Sequence, residues 1–432
     1  MSAQSYLDQF QTRTSDGEPA WLSDRRKASI AAFGELGFPS RREENWKYTN
    51  LAPFAKKSFA PVTSACSADL SRAGSGFGGP RLVFVDGRLD RNLSTVDTLP
   101  RGVTLTPLSE RLQADDGATL LSEDQSAFAH LNAAFFEDGT FVQIDSEIAV
   151  EETIEVVYLA TQAHEASSHV RNVFVAGPGS KALIVEQYLG EREETSGSRF
   201  TTAITDVRIA ASARLDHVKL LSEGSTVHVA ETRGNVATGG NYANHFFTFA
   251  TQLVRNEIDV NLAGETSHAD LNGLYVTDRE EHVDCFTTLQ HRVPHCTSWE
   301  MYRGVLGGRS TGNFRGKIDV YPDAQKTDAK QSSNHLLLTN TATGNSKPCL
   351  EIYADDVRCT HGATIGHLDE DALFYLRSRA IGETAARQLL TRAFAGEVVD
   401  AITHEAVRDH LDGWLGRHVL EALENAQENG AS

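Results

Sequence analysis

The spacing of apolar residues divides the chain into three stretches. In the first, Trp21, Leu22, Ile30, Phe33 and Leu36 fall at helical intervals within Glu18–Ala60, and Gly37 and Pro39 predict where that helix stops. RLVFVDGRL (81–89) sets an Asp-Gly pair between apolar runs, which predicts a short strand pair. Leu108, Leu112, Leu120, Leu121, Phe128 and Leu131 return to helical spacing from Pro107 to Phe136. From Thr140 to about Ile365 the period is two, as in TFVQIDSEIAV, ETIEVVYLA, HVRNVFVA, KALIVEQYL and ARLDHVKLL. After Leu368 helical spacing resumes in DEDALFYLRSR, where Asp369, Glu370 and Asp371 stand where a helix dipole favours acid. Gly382 separates that helix from two amphipathic segments, and the tail QENGAS is expected to fray.

A long run of period-two segments with small turn residues between them predicts a sandwich, a barrel or a stacked solenoid. Weak repetition favours the last. GSKALIVEQYL, ASARLDHVKLL, GETSHADLNGLYV and GRSTGNFRGKIDV share a small residue, polar residues and then an alternating strand. The last two begin at Gly264 and Gly308, 44 positions apart, which suggests two coils of about 22 residues each. One coil cannot bury its inner face alone, so coils must stack, as in a parallel β-helix. The 34 glycines against 11 prolines suit tight corners without ladder-breaking residues. The expected organisation is a mostly helical region over 1–138, a β-helix core over 139–367 and a helical region over 368–432.

Composition narrows the partners. The 432 residues carry 40 Lys and Arg against 59 Asp and Glu, a net charge of −19. That sign opposes bulk nucleic-acid binding and attraction to an anionic membrane. Five scattered cysteines, Cys66, Cys285, Cys296, Cys349 and Cys359, make no disulfide framework and suggest a reducing compartment. The N-terminus lacks a signal pattern, and no apolar run approaches the roughly 20 residues of a membrane helix. A cytoplasmic protein is expected.

Most candidate motifs read as scaffold. GPGSKA (177–182) lacks the Gly-Lys-Ser/Thr order of a phosphate loop and precedes a strand, so it reads as a turn. His404-Glu405 is followed by His410, the wrong spacing for a zinc-protease helix. Cys285, His291, His295 and Cys296 offer soft ligands, yet alternation and Pro294 scatter them; they read as buried coil residues, with a metal site as the alternative. In Cys359-Thr360-His361-Gly362 the thiol and the imidazole share one face of a strand and are able to ligate iron or zinc together.

Several segments taken together resemble one family. They are SRREENWKYTNL (40–51), DVYPDAQKTDA (319–329), QSSNHLLL (331–338), KPCLEIYADDVRCTHGATIG (347–366) and LDEDALFYLRSRAI (368–381). The resemblance is to the SufB/SufD family of scaffolds for iron–sulfur cluster assembly, and it is dense from about Gly264 to Ala401 and around Trp46. Ala342 stands where SufB-type chains carry a cysteine, and CTHGAT stands in place of EHEAT, which favours the SufD-type branch. The resemblance implies a right-handed parallel β-helix flanked by helices, with no ATPase activity of its own. It implies pairing with a SufB-like paralogue, and a SufC-like ABC ATPase bound by the C-terminal helices through Phe374, Tyr375, Leu376, Arg377, Arg379 and Ile381. His361, with Cys359 beside it, would sit at the paralogue interface and contribute a metal ligand to a nascent cluster. No tightly bound cofactor is implied, only transient iron or an iron–sulfur cluster, sulfur arriving indirectly from a cysteine desulfurase, and reduced flavin as a further participant. A homodimer is conceivable without the paralogue. The competing readings are a β-helix carbohydrate-active enzyme and a purely structural partner of the ATPase.

Overall fold

The computed structural model describes residues 3–14, 17–52, 54, 57, 59–62, 76–161, 165–190 and 198–430; Cys66 lies outside them. Its middle is a parallel β-helix of about seven coils, with helices at both chain ends. The early strands are β1 (Ala60–Pro61), β2 (Arg81–Val85), β3 (Arg88–Leu89), β4 (Val103–Pro107), β5 (Thr140–Ile144) and β6 (Ile154–Ala160). Next come β7 (Ala166–Ala176), β8 (Lys181–Gly190), β9 (Arg199–Ile209), β10 (Arg214–Ser222), β11 (Gly224–Val236), β12 (Asn241–Phe249) and β13 (Thr251–Leu262). The last are β14 (His268–Thr277), β15 (His282–His291), β16 (Thr297–Leu306), β17 (Thr311–Val320), β18 (Asp328–Leu337), β19 (Thr343–Ile352) and β20 (Arg358–Gly366). Successive strands alternate between two sheets: one runs from β4 and β5 through the odd strands to β19, the other from β3 and β2 through the even strands to β20.

The register corrects the expected coil length. Val227 pairs with Leu253, Asn241 with His268, Thr311 with Thr343 and Lys181 with Arg214, so one coil takes 26 to 33 residues rather than about 22. Gly264 and Gly308 precede β14 and β17, which belong to different sheets and lie one and a half coils apart. The shared pattern marks each strand, and a coil holds two strands, so its spacing could not measure the coil.

Alternation puts every second side chain of a strand inside the solenoid, stacked on its counterparts about 4.8 Å above and below. One buried cluster runs from Leu82 to Ala354 through all the coils. Glycine appears where a neighbouring ring needs the space: a Cβ on Gly273 would strike the Tyr302 ring, and one on Gly304 the Tyr275 ring.

The N-terminal helices are α1 (Ala3–Gln11) and α2 (Ala20–Leu36), and α2 ends at Gly37 with φ 65°, as the spacing predicted. Among the described residues from Phe38 to Ala60 no further α-helix forms, and a 3-10 turn stands at Glu44–Trp46. The backbone there is spent instead on the solenoid: the Asn45 carbonyl accepts from Arg255 at 2.9 Å, whose guanidinium lies 4.3 Å from the Trp46 ring. Between Pro107 and Phe136 the helical spacing yields two short helices, α3 (Leu108–Arg111) and α4 (Ala127–Phe135), parted by a turn at Gly117–Leu120. The Asp-Gly hairpin forms with Asp86 at φ 50° and Gly87 at φ 83°, the left-handed pair such a turn requires. Its first strand also pairs parallel with β6, so it belongs to the solenoid sheet.

At the other end, Asp369 caps α5 (Glu370–Ser378) by accepting from Asp371 N and Ala372 N. The helices α6 (Glu383–Val399) and α7 (Glu405–Gly430) lay Val398, Val407, Leu411, Leu415 and Val419 on Val218, Phe247, Phe249, Leu274 and Val305 of the even sheet. Each such buried aliphatic stabilises by about 1.5–3 kcal/mol. α7 runs to Gly430, so the expected frayed tail is helical that far.

Candidate interface at the open end of the β-helix

β19 and β20 are the last strands of their sheets, and each leaves one edge unpaired. Nearly every residue of β20 is exposed, and on β19 none is fully buried. The reason is positional. Side chains that would face the interior of a middle coil have no coil above them here. Ile365, exposed by 48 %, continues the inward column of Gly304 and His335. Tyr353, just past β19, is exposed by 65 %. An edge of this kind is a template for another chain.

Cys359 and His361 lie on this end. Cys359 continues the inward column of Ala269, Ser298 and Ala329, and its half-buried side chain packs against the core. Burial pushes its thiol pKa up, so it is a neutral thiol near pH 7. His361 continues the next inward column, Leu271, Glu300 and Gln331. Its ring is exposed and makes no hydrogen bond or ion pair among the described residues. The shared face expected for the two residues is therefore the inside of the solenoid, laid open.

Sequence reasoning missed the residues beneath. Gln331 and Glu300 are each 3 % exposed, and the Gln331 amide nitrogen donates to Glu300. Burial pushes the Glu300 carboxyl up to about 7, against the lowering effect of Thr287 and Gln331. The signal available was Glu300 itself, a charged residue in the inward phase of TSWEMYRGVL. Cys349 sits on the other sheet, paired in register with Lys317 rather than near Cys359. Ala342, in the turn before β19, is buried in the core.

The four residues around Cys285 do not converge. Cys285 is enclosed on β15, Cys296 bonds Ser267 Oγ and the Gly264 carbonyl at 3.3 Å each, and His291 bonds Ser298 Oγ at 2.9 Å. His295 is exposed, in a turn at φ 62°. Among the described residues no group of three or more His, Cys, Asp and Glu is placed to hold a metal ion. Gly177–Ser180 form a turn, and His404 and His410 pack against Thr153 and the Phe77 ring.

Leu373, 4 % exposed, is the one fully buried residue of α5. Phe374 and Tyr375 stand out at 75 % and 58 % exposure, with Arg379 over the Tyr375 ring at 5.3 Å. Arg377 is exposed, and Leu376 and Ile381 are half-buried.

Comparison with known proteins agrees with this architecture. The model of the SUF system FeS cluster assembly SufBD core domain matches residues 158–394, and that of the SufBD protein N-terminal region matches residues 1–156. The chain belongs to the SufBD family. The iron-sulfur cluster assembly protein SufD of Escherichia coli is 29 % identical over 411 residues, covering 94 % of this chain and 95 % of that protein. A SufBD family protein of Synechocystis is 26 % identical over 93 % and 92 % of the two chains. The SufD of Bacillus subtilis is 26 % identical over 96 % and 98 %. SufBD proteins are components of iron–sulfur cluster assembly. Among the described residues of this one, no helix is long and apolar enough to cross a membrane.

Proposed function

We propose that this chain is the SufD-like subunit of a scaffold that assembles nascent iron–sulfur clusters, docking through its open end onto a paralogous β-helix. The observation that carries the reading is the last coil: two unpaired sheet edges, with an exposed imidazole that bonds none of the described residues. A neutral imidazole nitrogen is a good ligand for iron, and His361 would contribute one at the seam. Cys359, neutral and half-buried, supports packing at that seam. The iron or cluster is cargo of the assembly, and reduced flavin would act with the assembled complex rather than with this chain alone.

The C-terminal helices would receive an ABC-type ATPase. Phe374 and Tyr375 are large exposed aromatics beside Arg377 and Arg379, the composition of an interface anchor. Leu376 and Ile381 would complete the patch. ATP-driven pairing of two such ATPases would then act on the seam, provided that the ATPase binds the two states of the complex with different affinity. Sulfur would come from a cysteine desulfurase through the paralogue.

The test is recovery of partners on the tagged chain from its own cells, followed by His361→Ala. The expected outcome is co-purification of a paralogue and an ATPase in both forms, with cluster formation lost only in the variant. Full cluster formation by His361→Ala sinks the site, and absence of both partners sinks the scaffold reading.

A further inference from the structure

The geometry points to Gln331 as a positioning residue for His361: its side-chain oxygen accepts a hydrogen bond from one ring N–H and so fixes the tautomer that presents the other nitrogen outward. This rests on the reading of His361 as a ligand, and it adds the residue that orients it. Three observations converge. Gln331 and His361 are register partners on β18 and β20, in the same inward column, so the side chains stand about 4.8 Å apart at their roots. The Gln331 amide is oriented from below, because its nitrogen donates to Glu300. That leaves its oxygen, buried and without a partner among the described residues, as the free acceptor on the strand next to His361.

Amide–imidazole neighbours recur where both coils are covered, although there it is the amide nitrogen that faces the ring nitrogen. Further down this column the Asn244 amide lies 3.2 Å from His217 Nδ1, one strand away. On the outer face Asn272 meets His245 Nδ1 at 3.3 Å. An amide one strand from an imidazole is thus a repeated pairing in this solenoid; at the open end the Gln331 nitrogen is taken up by Glu300, so the oxygen is the atom left for the ring. A buried carbonyl oxygen without a partner costs free energy, which favours the ring turning inward. A ligating histidine whose second nitrogen is held in this way keeps its orientation and gains basicity. The room for the amide comes from across the solenoid: a Cβ on Gly316 would strike the Gln331 amide nitrogen.

The tautomer is read from the ring nitrogen shifts of the intact chain labelled with 15N-histidine, the His361 signals being those lost in His361→Asn. We expect wild type to favour one tautomer by roughly three- to tenfold over Gln331→Leu, the equivalent of one net hydrogen bond. Gly316→Ala, which alters neither partner, shifts the ratio in the same direction, and Gln331→Asn, an amide too short to reach, behaves like the leucine variant if that one does not fold. Ring shifts identical in wild type and in whichever of these variants folds would overturn the assignment. An inactive His361→Ala with unchanged shifts in Gln331→Leu defeats this inference alone; a fully active His361→Ala with shifts that do change defeats the proposed function alone.

Discussion

Glu300 is a carboxyl group placed where the inward phase of a strand calls for an apolar side chain. Folding raises its pKa from 4.5 to about 7, because burial disfavours the charge more than Thr287 and Gln331 favour it. The folded chain therefore holds this proton more tightly than the unfolded chain. Its favourable contribution is complete below pH 4.5 and is lost as pH rises through about 7. Glu300→Gln keeps the shape and removes the titration. Relative to wild type it should gain roughly 2–3 kcal/mol on going from about pH 5 to about pH 8, read from urea midpoints across that range. Parallel pH profiles for the two proteins would refute the account. Glu186 has the opposite sign: Lys219 and His217 outweigh burial and hold it down at about 2, so its contribution is lost only in acid. At this scale the sequence disclosed Cys359 and His361 as a same-face pair, since strand periodicity alone dictates that. It could not disclose that the face is an interior left uncovered, because that depends on where the coils stop.

The elements were legible in proportion to how local their causes are. The Asp-Gly hairpin, the Gly37 stop and the acidic start of α5 each follow from a few neighbouring residues, and each formed. The coil length failed because it is set by two corners per turn, which the strand pattern does not count. The SRREENWKYTNL segment resembled a fingerprint and turns out to be a clasp. Arg255, 1 % exposed, is held between the Trp46 ring at 4.3 Å and the Phe286 ring at 3.5 Å, and it also bonds the Asn45 carbonyl, Glu257 and Asp284. Glu44 reaches Lys347 of β19 at 2.6 Å, so the clasp extends to the last coil. Removing Arg255 would leave buried Asp284 with His282 and Asn313 as its side-chain partners, a loss of about 1–3 kcal/mol. Arg255→Met should thus raise amide hydrogen exchange over residues 44–51 by more than tenfold, while strands β8 to β12 keep their protection. Arg255→Lys should rescue little, since a point charge cannot fill a planar slot between two rings. Unchanged exchange over 44–51 in Arg255→Met would show that the clasp is held elsewhere.

As a whole the molecule is a rod closed along its length and open at one end, and its surface charge is strongly negative. Those two properties compete. The open end offers unpaired edges and the apolar side chains of Tyr353 and Ile365, which favour an end-to-end contact with a second β-helix. A second copy of this chain brings another −19, which opposes that contact over the Debye length, about 30 Å at 0.01 M salt and about 8 Å at 0.15 M. Self-pairing through the end should therefore strengthen with salt, the reverse of an association driven by opposite charges. A paralogue of lower negative charge at its own end would win over a second copy in either condition, which gives a physical reason for a heteromeric pair. Sedimentation of the purified chain across that salt range should show the dimer fraction rising. Tyr353→Lys combined with Ile365→Lys should hold the chain monomeric throughout, and it should equally remove the paralogue from a pull-down while leaving any ATPase bound to α5–α7. A double variant that still dimerises would place the contact on another surface, and a dimer that dissociates as salt is added would show that complementary charges, rather than the uncovered coil, hold it together.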